Sequence, residues 1–233
     1  MPSVVMDTSV ALPATLSPRG MTRKFWLLLA VGALAYRAEH LRLELDALNA
    51  EAEREGGGEI HGSELLEGLA AAAEQRLAAV REHLPHDAPQ DCVSLGSVVL
   101  FDEYERKVRE VGAKLNPRVS PEMAPVLRRQ FEAICVGGPA PFDPATAPAL
   151  TRDPADDAIV YTALLADADF LISDDRDIVP ERDEHTYEHG GHRVLAVRFG
   201  HFVRDYFRPA ELDWGAVDGT RLATAYRHLG SIV

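Results

Sequence analysis

Short apolar runs alternate with longer helical patterns along the chain. The first run is Ser3-Val4-Val5-Met6-Asp7-Thr8-Ser9-Val10, β-rich and ending in Asp-Thr-Ser. A run this short and apolar suits a central parallel strand covered on both faces. Ala11 to Leu16 follows as a short helix, and Ser17-Pro18-Arg19-Gly20 is a turn signal. Thr22 to Ala35 reads as an apolar helix. From Arg37 to Glu55, Leu41, Leu45, Leu48 and Ala52 recur at spacings of 4, 3 and 4, the mark of a charged helix with one apolar stripe. Gly56-Gly57-Gly58 should interrupt it, since a glycine in a helix interior costs about 1 kcal/mol relative to alanine. Ser63 is a good N-cap for a second helix that runs through an alanine-rich segment to Leu84. The pair is expected to form an antiparallel hairpin, a helical insertion over 37–90 within a single domain spanning 1–233.

Beyond the hairpin, Cys92-Val93-Ser94-Leu95 reads as a second strand, and Ser97 caps a helix through Phe101, Glu103 and Val108 toward Val111. Ser120-Pro121-Glu122 starts another helix, with a capping serine, proline at the first helical position and an acid in the first turn. That helix continues through Phe131 to a third strand at Ile134-Cys135-Val136. A proline-rich loop covers Gly137 to Ala149. Pro154-Ala155-Asp156-Asp157 opens a helix over about Ala158 to Ala166, and Phe170-Leu171-Ile172-Ser173 is a fourth strand followed by Asp174-Asp175-Arg176-Asp177. The polar stretch Glu181 to His192 is expected as a loop. Val194 to Val197 is a fifth strand, with a helix from Gly200 into Tyr206. Strands and helices in alternation predict a three-layer α/β/α sandwich around a mostly parallel central sheet.

Charge narrows the chemistry. The 233-residue chain carries 24 Lys plus Arg against 37 Asp plus Glu, a formal charge of −13. A simple electrostatic clamp on nucleic acid needs clustered cations, so this balance disfavours one. Between Asp153 and Glu188 there are twelve acids and two arginines, a local balance of −10, which suits divalent cations or plain solvation. Cys92 and Cys135 have no CxxC spacing and read as reduced thiols. Arg23 and Lys24 before Phe25 to Tyr36, with Ala33-Leu34-Ala35, imitate a secretion signal. Twelve apolar residues fall short of the roughly 20 that span a bilayer. A buried helix in a cytoplasmic protein without a membrane partner is the expectation.

In parallel α/β folds, ligands sit outside the carboxyl ends of the strands. Asp7 ends the first strand and Asp175 follows the fourth. Asp156 and Asp157 stand at the start of the helix leading into that fourth strand, and Glu103 lies in the helix after the second. Carboxylates converging on one pocket repel unless protons or cations neutralise them. Oxygen-only donors favour Mg²⁺ or Mn²⁺, and the chemistry of such a site is metal-assisted hydrolysis of a phosphodiester. Singly, each acid has another reading. An aspartate after a first strand also occurs in phosphatases, kinases and response regulators, Asp156 could cap its helix, and Asp157 could favour the helix dipole.

The order and spacing of these pieces resemble the PIN domain, the nuclease fold of VapC-type toxins, and in particular the bacterial toxin-associated PIN proteins. Val4-Val5-Met6-Asp7-Thr8-Ser9-Val10, with Leu16-Ser17-Pro18-Arg19-Gly20, is similar to that group's opening strand with Asp-Thr-Asn and its Ser-Pro-x-Gly turn. Ser97-Val98-Val99-Leu100-Phe101-Asp102-Glu103 resembles the helix whose glutamate follows a serine by six positions. Asp153-Pro154-Ala155-Asp156-Asp157 and Ala168-Asp169-Phe170-Leu171-Ile172-Ser173-Asp174-Asp175-Arg176-Asp177 resemble the family's Asp-Pro-x-Asp-Asn to Thr-Gly-Asp-x-Asp-Leu block, the most specific of the three. The likeness covers about residues 3–36 and 91–200. It implies an acidic site of Asp7, Glu103, Asp156 and Asp175 binding Mg²⁺ or Mn²⁺, with Asp157 and Asp177 as auxiliary acids and Ser173 as polar support. Three positions depart from the pattern: Ser9 stands for asparagine, weakening the network around Asp7, Asp157 for asparagine and Asp174 for glycine.

The resemblance implies a metal-dependent endoribonuclease acting on single-stranded RNA, the toxin of a type II toxin–antitoxin pair, with in-line attack of water leaving a 5′-phosphate and a 3′-hydroxyl. It also implies a homodimer and an antitoxin protein as partners. Two other classes stay open: a PIN nuclease in RNA processing or on structured DNA, and a catalytically weak PIN-fold binding protein that recruits a partner through 37–90. His185, His189 and His192 lie in the expected loop after Asp177 without a helix to hold them in ligand register. Lys107, Arg109, Lys114, Arg118, Arg128 and Arg129 form the most basic region, either guiding a phosphate backbone or solvating helices. Phe199, Phe202, Tyr206 and Phe207 read as packing of the closing helix.

Overall fold

The computed structural model describes residues 2–17, 20–55, 63–82 and 92–207. Pro18 and Arg19 of the expected turn, the triple glycine at 56–58 and the expected helix end at Leu84 lie outside the described residues. The first strand, β1 (Ser3–Met6), is shorter than its apolar run. It stops because Asp7 takes an extended conformation and caps a helix, α1 (Thr8–Leu16), that begins at once. Val4, Val5 and Met6 are completely buried, as a central strand requires.

Five strands of the sheet are parallel. Alongside β1 run β2 (Val93–Leu95), β3 (Cys135–Gly137), β4 (Phe170–Ile172) and β6 (His192–Val197), and the spatial order is β3-β2-β1-β4-β6-β5. Val5 pairs with Leu95 of β2 on one side and Leu171 of β4 on the other. The order of strands therefore reverses at β1, which opens a crevice between the carboxyl ends of β1 and β4. Helices α4 (Val98–Leu115), α5 (Ala124–Ile134) and α6 (Pro154–Leu165) alternate with the strands, consistent with an α/β/α sandwich.

The stretch 181–192, expected as a loop, contains instead the sixth strand, β5 (Glu184–His189), antiparallel to β6 from Glu184 opposite Val197 to His189 opposite His192. Gly190 and Gly191 connect them with φ of +62° and +88°. Two successive positive φ values define the tight turn whose twist matches a hairpin, and glycine adopts them without steric cost.

The apolar segment from residue 22 and the charged segment to Glu55 are one helix, α2 (Met21–Glu55), because nothing at Tyr36 or Arg37 breaks the backbone. Phe25 to Val31 are buried, whereas Leu41, Leu45 and Leu48 form a half-buried stripe. α2 packs against α3 (Ser63–Arg81), which buries Ala70, Leu77 and Val80. No helix among the described residues is long and apolar enough to cross a membrane. The closing turn α7 (Phe199–His201), continued by a π turn over Phe202–Tyr206, sets Phe199, Phe202 and Phe207 around Phe25 at centroid distances of 5.6, 5.6 and 5.0 Å. Both cysteines are free thiols.

Candidate metal centre

The crevice between β1 and β4 is floored by Asp7. Its carboxylate caps α1, accepting from the amides of Thr8 at 2.5 Å and Ser9 at 3.2 Å. Oδ2 also accepts from the hydroxyls of Ser9 at 2.5 Å and Ser173 at 2.8 Å. Only 3% of Asp7 is exposed. Burial raises its pKa above the ordinary carboxylate value despite the hydrogen bonds from Ser9, Ser173 and Thr8 that oppose the rise. Ser9, expected to weaken this network in place of asparagine, is one of its joints, since its Oγ also accepts the amide of Asp174 at 3.0 Å.

Ser173 extends β4 by one residue through its amide to Val197 O at 3.0 Å. Its Oγ accepts the Asp175 amide at 3.0 Å, and Asp175 Oδ1 in turn accepts the Asp177 amide at 2.8 Å. These bonds shape the segment after β4 so that Asp175 and Asp177 converge with Asp156. One carboxylate oxygen from each of the three lies within 4.8 Å of the other two. Asp156 sits in the first turn of α6, a helix capped not by Asp156 but by Asp153, whose side chain accepts the Ala155 amide at 3.0 Å.

Partial burial, then the charges of Asp175, Asp7, Asp153 and Asp177, lift the pKa of Asp156 to about 7. Repulsion of this kind is what a bound cation relieves. The donor set fits a hard ion. Octahedral Mg²⁺ with oxygens at about 2.1 Å places opposite ligands about 4.2 Å apart, inside the span of the triad, and Mn²⁺ takes the same donors. The cluster therefore comprises Asp156, Asp175 and Asp177, with Asp7 electrostatically coupled behind it. Asp177, expected only as an auxiliary acid, is part of the triad.

Two other expected residues stand apart. Glu103 on α4 is held by Arg106 through contacts of 2.7 Å and by Lys107 at 3.9 Å. With Arg106, Ser97, Phe142, Pro154 and Ala155 it lines a groove of about 460 Å³ beside the start of α6. The α4 end of this groove is fixed to α6 by the Ser97 and Thr162 hydroxyls, 2.9 Å apart. Asp157 is buried, and its Oδ1 accepts from the amides of Leu150 and Thr151 and the Thr151 hydroxyl at 2.7 to 2.9 Å. That carboxylate anchors the chain entering α6.

Asp174 is not part of the triad, and its Oδ1 accepts the Phe199 amide at 3.1 Å. The histidines make no ligand cluster among the described residues: His192 meets Asp167 at 2.6 Å and His189 lies edge-on to Tyr161. Much of the basic region is neutralised, with Arg128 on Asp102, Glu105 and Glu132, and Arg109 on Glu105. Tyr187 of β5 was not foreseen. Its hydroxyl donates to Ile178 O at 2.8 Å, and burial followed by the charges of Asp156, Asp157 and Asp177 pushes its pKa up to about 12. Recognising β5 from its Gly-Gly turn was the signal that could have found it. Compared with models of known families, with curated proteins and with solved structures, the chain matches none of them.

Proposed function

We propose that this protein is a Mg²⁺- or Mn²⁺-dependent endoribonuclease of single-stranded RNA with a PIN-like fold. The observation that carries the reading is the convergence of Asp156, Asp175 and Asp177 at the point where the strand order reverses, over the buried Asp7. Asp156, Asp175 and Asp177 hold the cation. When bound, it supplies Lewis acidity toward water and phosphate oxygen. Asp7 adds negative charge behind the triad, and Ser9 and Ser173 fix its orientation. Glu103 faces the groove that leads along α6 and helps to shape the path of the substrate. Work as the cytoplasmic toxin of a type II toxin–antitoxin pair, with an antitoxin protein and a homodimer, belongs to the same reading and rests on the resemblance of three sequence stretches.

The test is cleavage of an end-labelled single-stranded RNA with Mn²⁺, with EDTA, and by an Asp175→Asn variant. Cutting that needs Mn²⁺ and is lost in the variant supports the nuclease. RNA left intact in every lane, with no Mn²⁺ binding by calorimetry, overturns it. A second reading, partner recruitment through α2 and α3, draws on the exposure of Leu43, Leu65 and Leu69. Loss of a co-purifying partner on Leu65→Ser/Leu69→Ser would favour it.

A further inference from the structure

The segment after β4 alternates in chemistry as well as direction. Asp175 and Asp177 join the acidic triad, whereas Arg176 between them lines a separate depression of about 570 Å³ with Asp174, Pro180, Glu181, Arg182 and Arg198. Arg176 and Arg182 are the only arginines in the acidic stretch 153–188, and both line this depression. We propose that Arg176, Arg182 and Arg198 form a seat for a backbone phosphate of single-stranded RNA next to the phosphate at the triad. The inference rests on the nuclease reading and adds the contact that lets a polyanion approach an acidic protein.

The groups in the depression are arranged for an anion. Arg198 donates to the carbonyl oxygens of Asp174 and of Val179, the latter at 2.7 Å. Neutral carbonyls fix the guanidinium without cancelling its charge. Two carboxylates, Asp174 and Glu181, also line the depression, where Asp174 accepts the Phe199 amide at 3.1 Å and Glu181 lies 3.4 Å from His185, and the three guanidinium groups outnumber them. Arg182, with 95% of its side chain exposed, forms an ion pair among the described residues only with Asp183, at 3.9 Å. Arg176 makes no ion pair within 4.0 Å among the described residues. The contrast is with α4 and α5, where Arg106, Arg109 and Arg128 are each matched by glutamates at 2.5 to 2.7 Å. Guanidinium groups bind phosphate oxygens through paired, charge-assisted hydrogen bonds. Arg176 lies in sequence between two triad ligands, so the depression and the triad are built on the same short segment after β4.

The test is fluorescence anisotropy of a labelled single-stranded RNA of about 12 nucleotides, titrated with the full chain in EDTA between roughly 50 and 200 mM salt. Arg176→Ala/Arg182→Ala is compared with Arg118→Ala/Arg129→Ala, which removes equal charge from an exposed site elsewhere. The first pair should weaken binding about tenfold and lower the salt slope by about 1.4, the value for two contacts on a single strand. The control pair should stay within about twofold of the parent. Equal weakening by both pairs, no weakening by the first, or no binding by the parent protein overturns the seat. Mn²⁺ calorimetry on the first pair should give the parent affinity, which shows an intact triad. Cleavage assayed in parallel separates the two ideas. Cutting that persists with affinity indifferent to Arg176 and Arg182 sinks the seat alone, and selective loss of affinity without any cutting sinks the nuclease alone.

Discussion

The Ser173 hydroxyl donates to Asp7 Oδ2 at 2.8 Å, joining the ends of two neighbouring parallel strands through one buried contact. The Ser173 Oγ in turn accepts the Asp175 amide at 3.0 Å. Ser9, whose proton also goes to Asp7, lies 3.4 Å from Ser173 Oγ. Both hydroxyl protons are thus committed to one carboxylate, and both oxygens accept amides from the segment after β4. The floor of the crevice and the segment that carries two of the three triad acids are one hydrogen-bonded unit.

Ser173→Ala breaks that unit at its centre. It removes a donor from the buried Asp7 carboxylate and leaves the Asp175 amide without its acceptor. A hydrogen bond to a charged group contributes about 1.5–3 kcal/mol, and an unpaired amide adds its own desolvation. We expect a loss of about 3 kcal/mol in urea denaturation and weaker Mn²⁺ binding by calorimetry. Unchanged stability would show that Asp7 and Asp175 are held independently.

How much of this was legible in the sequence follows from how local each signal is. Five strands, the helices between them and the parallel sheet could be read from short apolar runs separated by caps and turns. Asp7, Asp156 and Asp175 could be placed because their positions depend on where strands end and helices start. β5 was missed because Glu184 to His189 carries few apolar residues. As an edge strand it buries only Tyr187, and the hairpin shows only in Gly190-Gly191. Glu103 was placed in the metal site from the helix after the second strand and from the likeness to a helix whose glutamate follows a serine by six positions; the ion pairs with Arg106 and Lys107 one turn on follow the 3.6-residue spacing and were legible beside it. The anchoring role of Asp157 was not readable, since it depends on the path of a proline-rich loop.

The raised pKa of Asp156 makes stability depend on pH in a definite direction. An ordinary aspartate titrates near 3.8, and the unfolded chain follows it; the folded group titrates at about 7. Between those values the unfolded state has lost a proton that the folded state keeps, so metal-free stability falls as pH rises from about 4 to 7 and then levels off. Burial of Asp7 acts in the same direction. Asp156→Asn should flatten the curve and raise the melting temperature of the metal-free protein at pH 8. Mn²⁺ binding should release a proton and tighten as pH rises through 7. A melting temperature of Asp156→Asn equal to the parent's at pH 8 would contradict the crowding of charge at the triad.

Asp157 and Asp175 should separate anchoring from metal binding, although both are acids in the same crevice region. Asp157→Ala strips an acceptor from the amides of Leu150 and Thr151 and from the Thr151 hydroxyl. A loss of about 2–3 kcal/mol follows from buried donors left unpaired, with Mn²⁺ affinity within about threefold of the parent once the protein is folded. Asp175→Asn should do the reverse, abolishing measurable Mn²⁺ stabilisation in thermal melts while leaving the metal-free protein as stable or more so, because one repelling charge is gone. If both variants lose the metal equally, Asp157 belongs to the ligand set and its contacts with the loop are secondary.

Glu103 provides the sharpest check on which acids the cation touches. Its carboxylate is held by Arg106 at 2.7 Å, and Arg106 also meets Glu110 at 2.5 Å. Half of the Arg106 side chain is exposed, so this network is worth no more than a typical surface pair, below about 1 kcal/mol, and a divalent ion could outcompete it. Geometry still favours the triad, whose three oxygens already lie within 4.8 Å of one another without Glu103. Glu103→Gln should therefore keep Mn²⁺ affinity within about twofold, since a ligand lost from the ion itself costs far more than a lost surface pair. A loss of tenfold or more would mean that Arg106 releases Glu103 when the cation binds. In that case Arg106→Ala should raise Mn²⁺ affinity by freeing the carboxylate in advance. The two variants together decide whether Glu103 is a ligand held in reserve by its arginine or a wall of the groove beside α6.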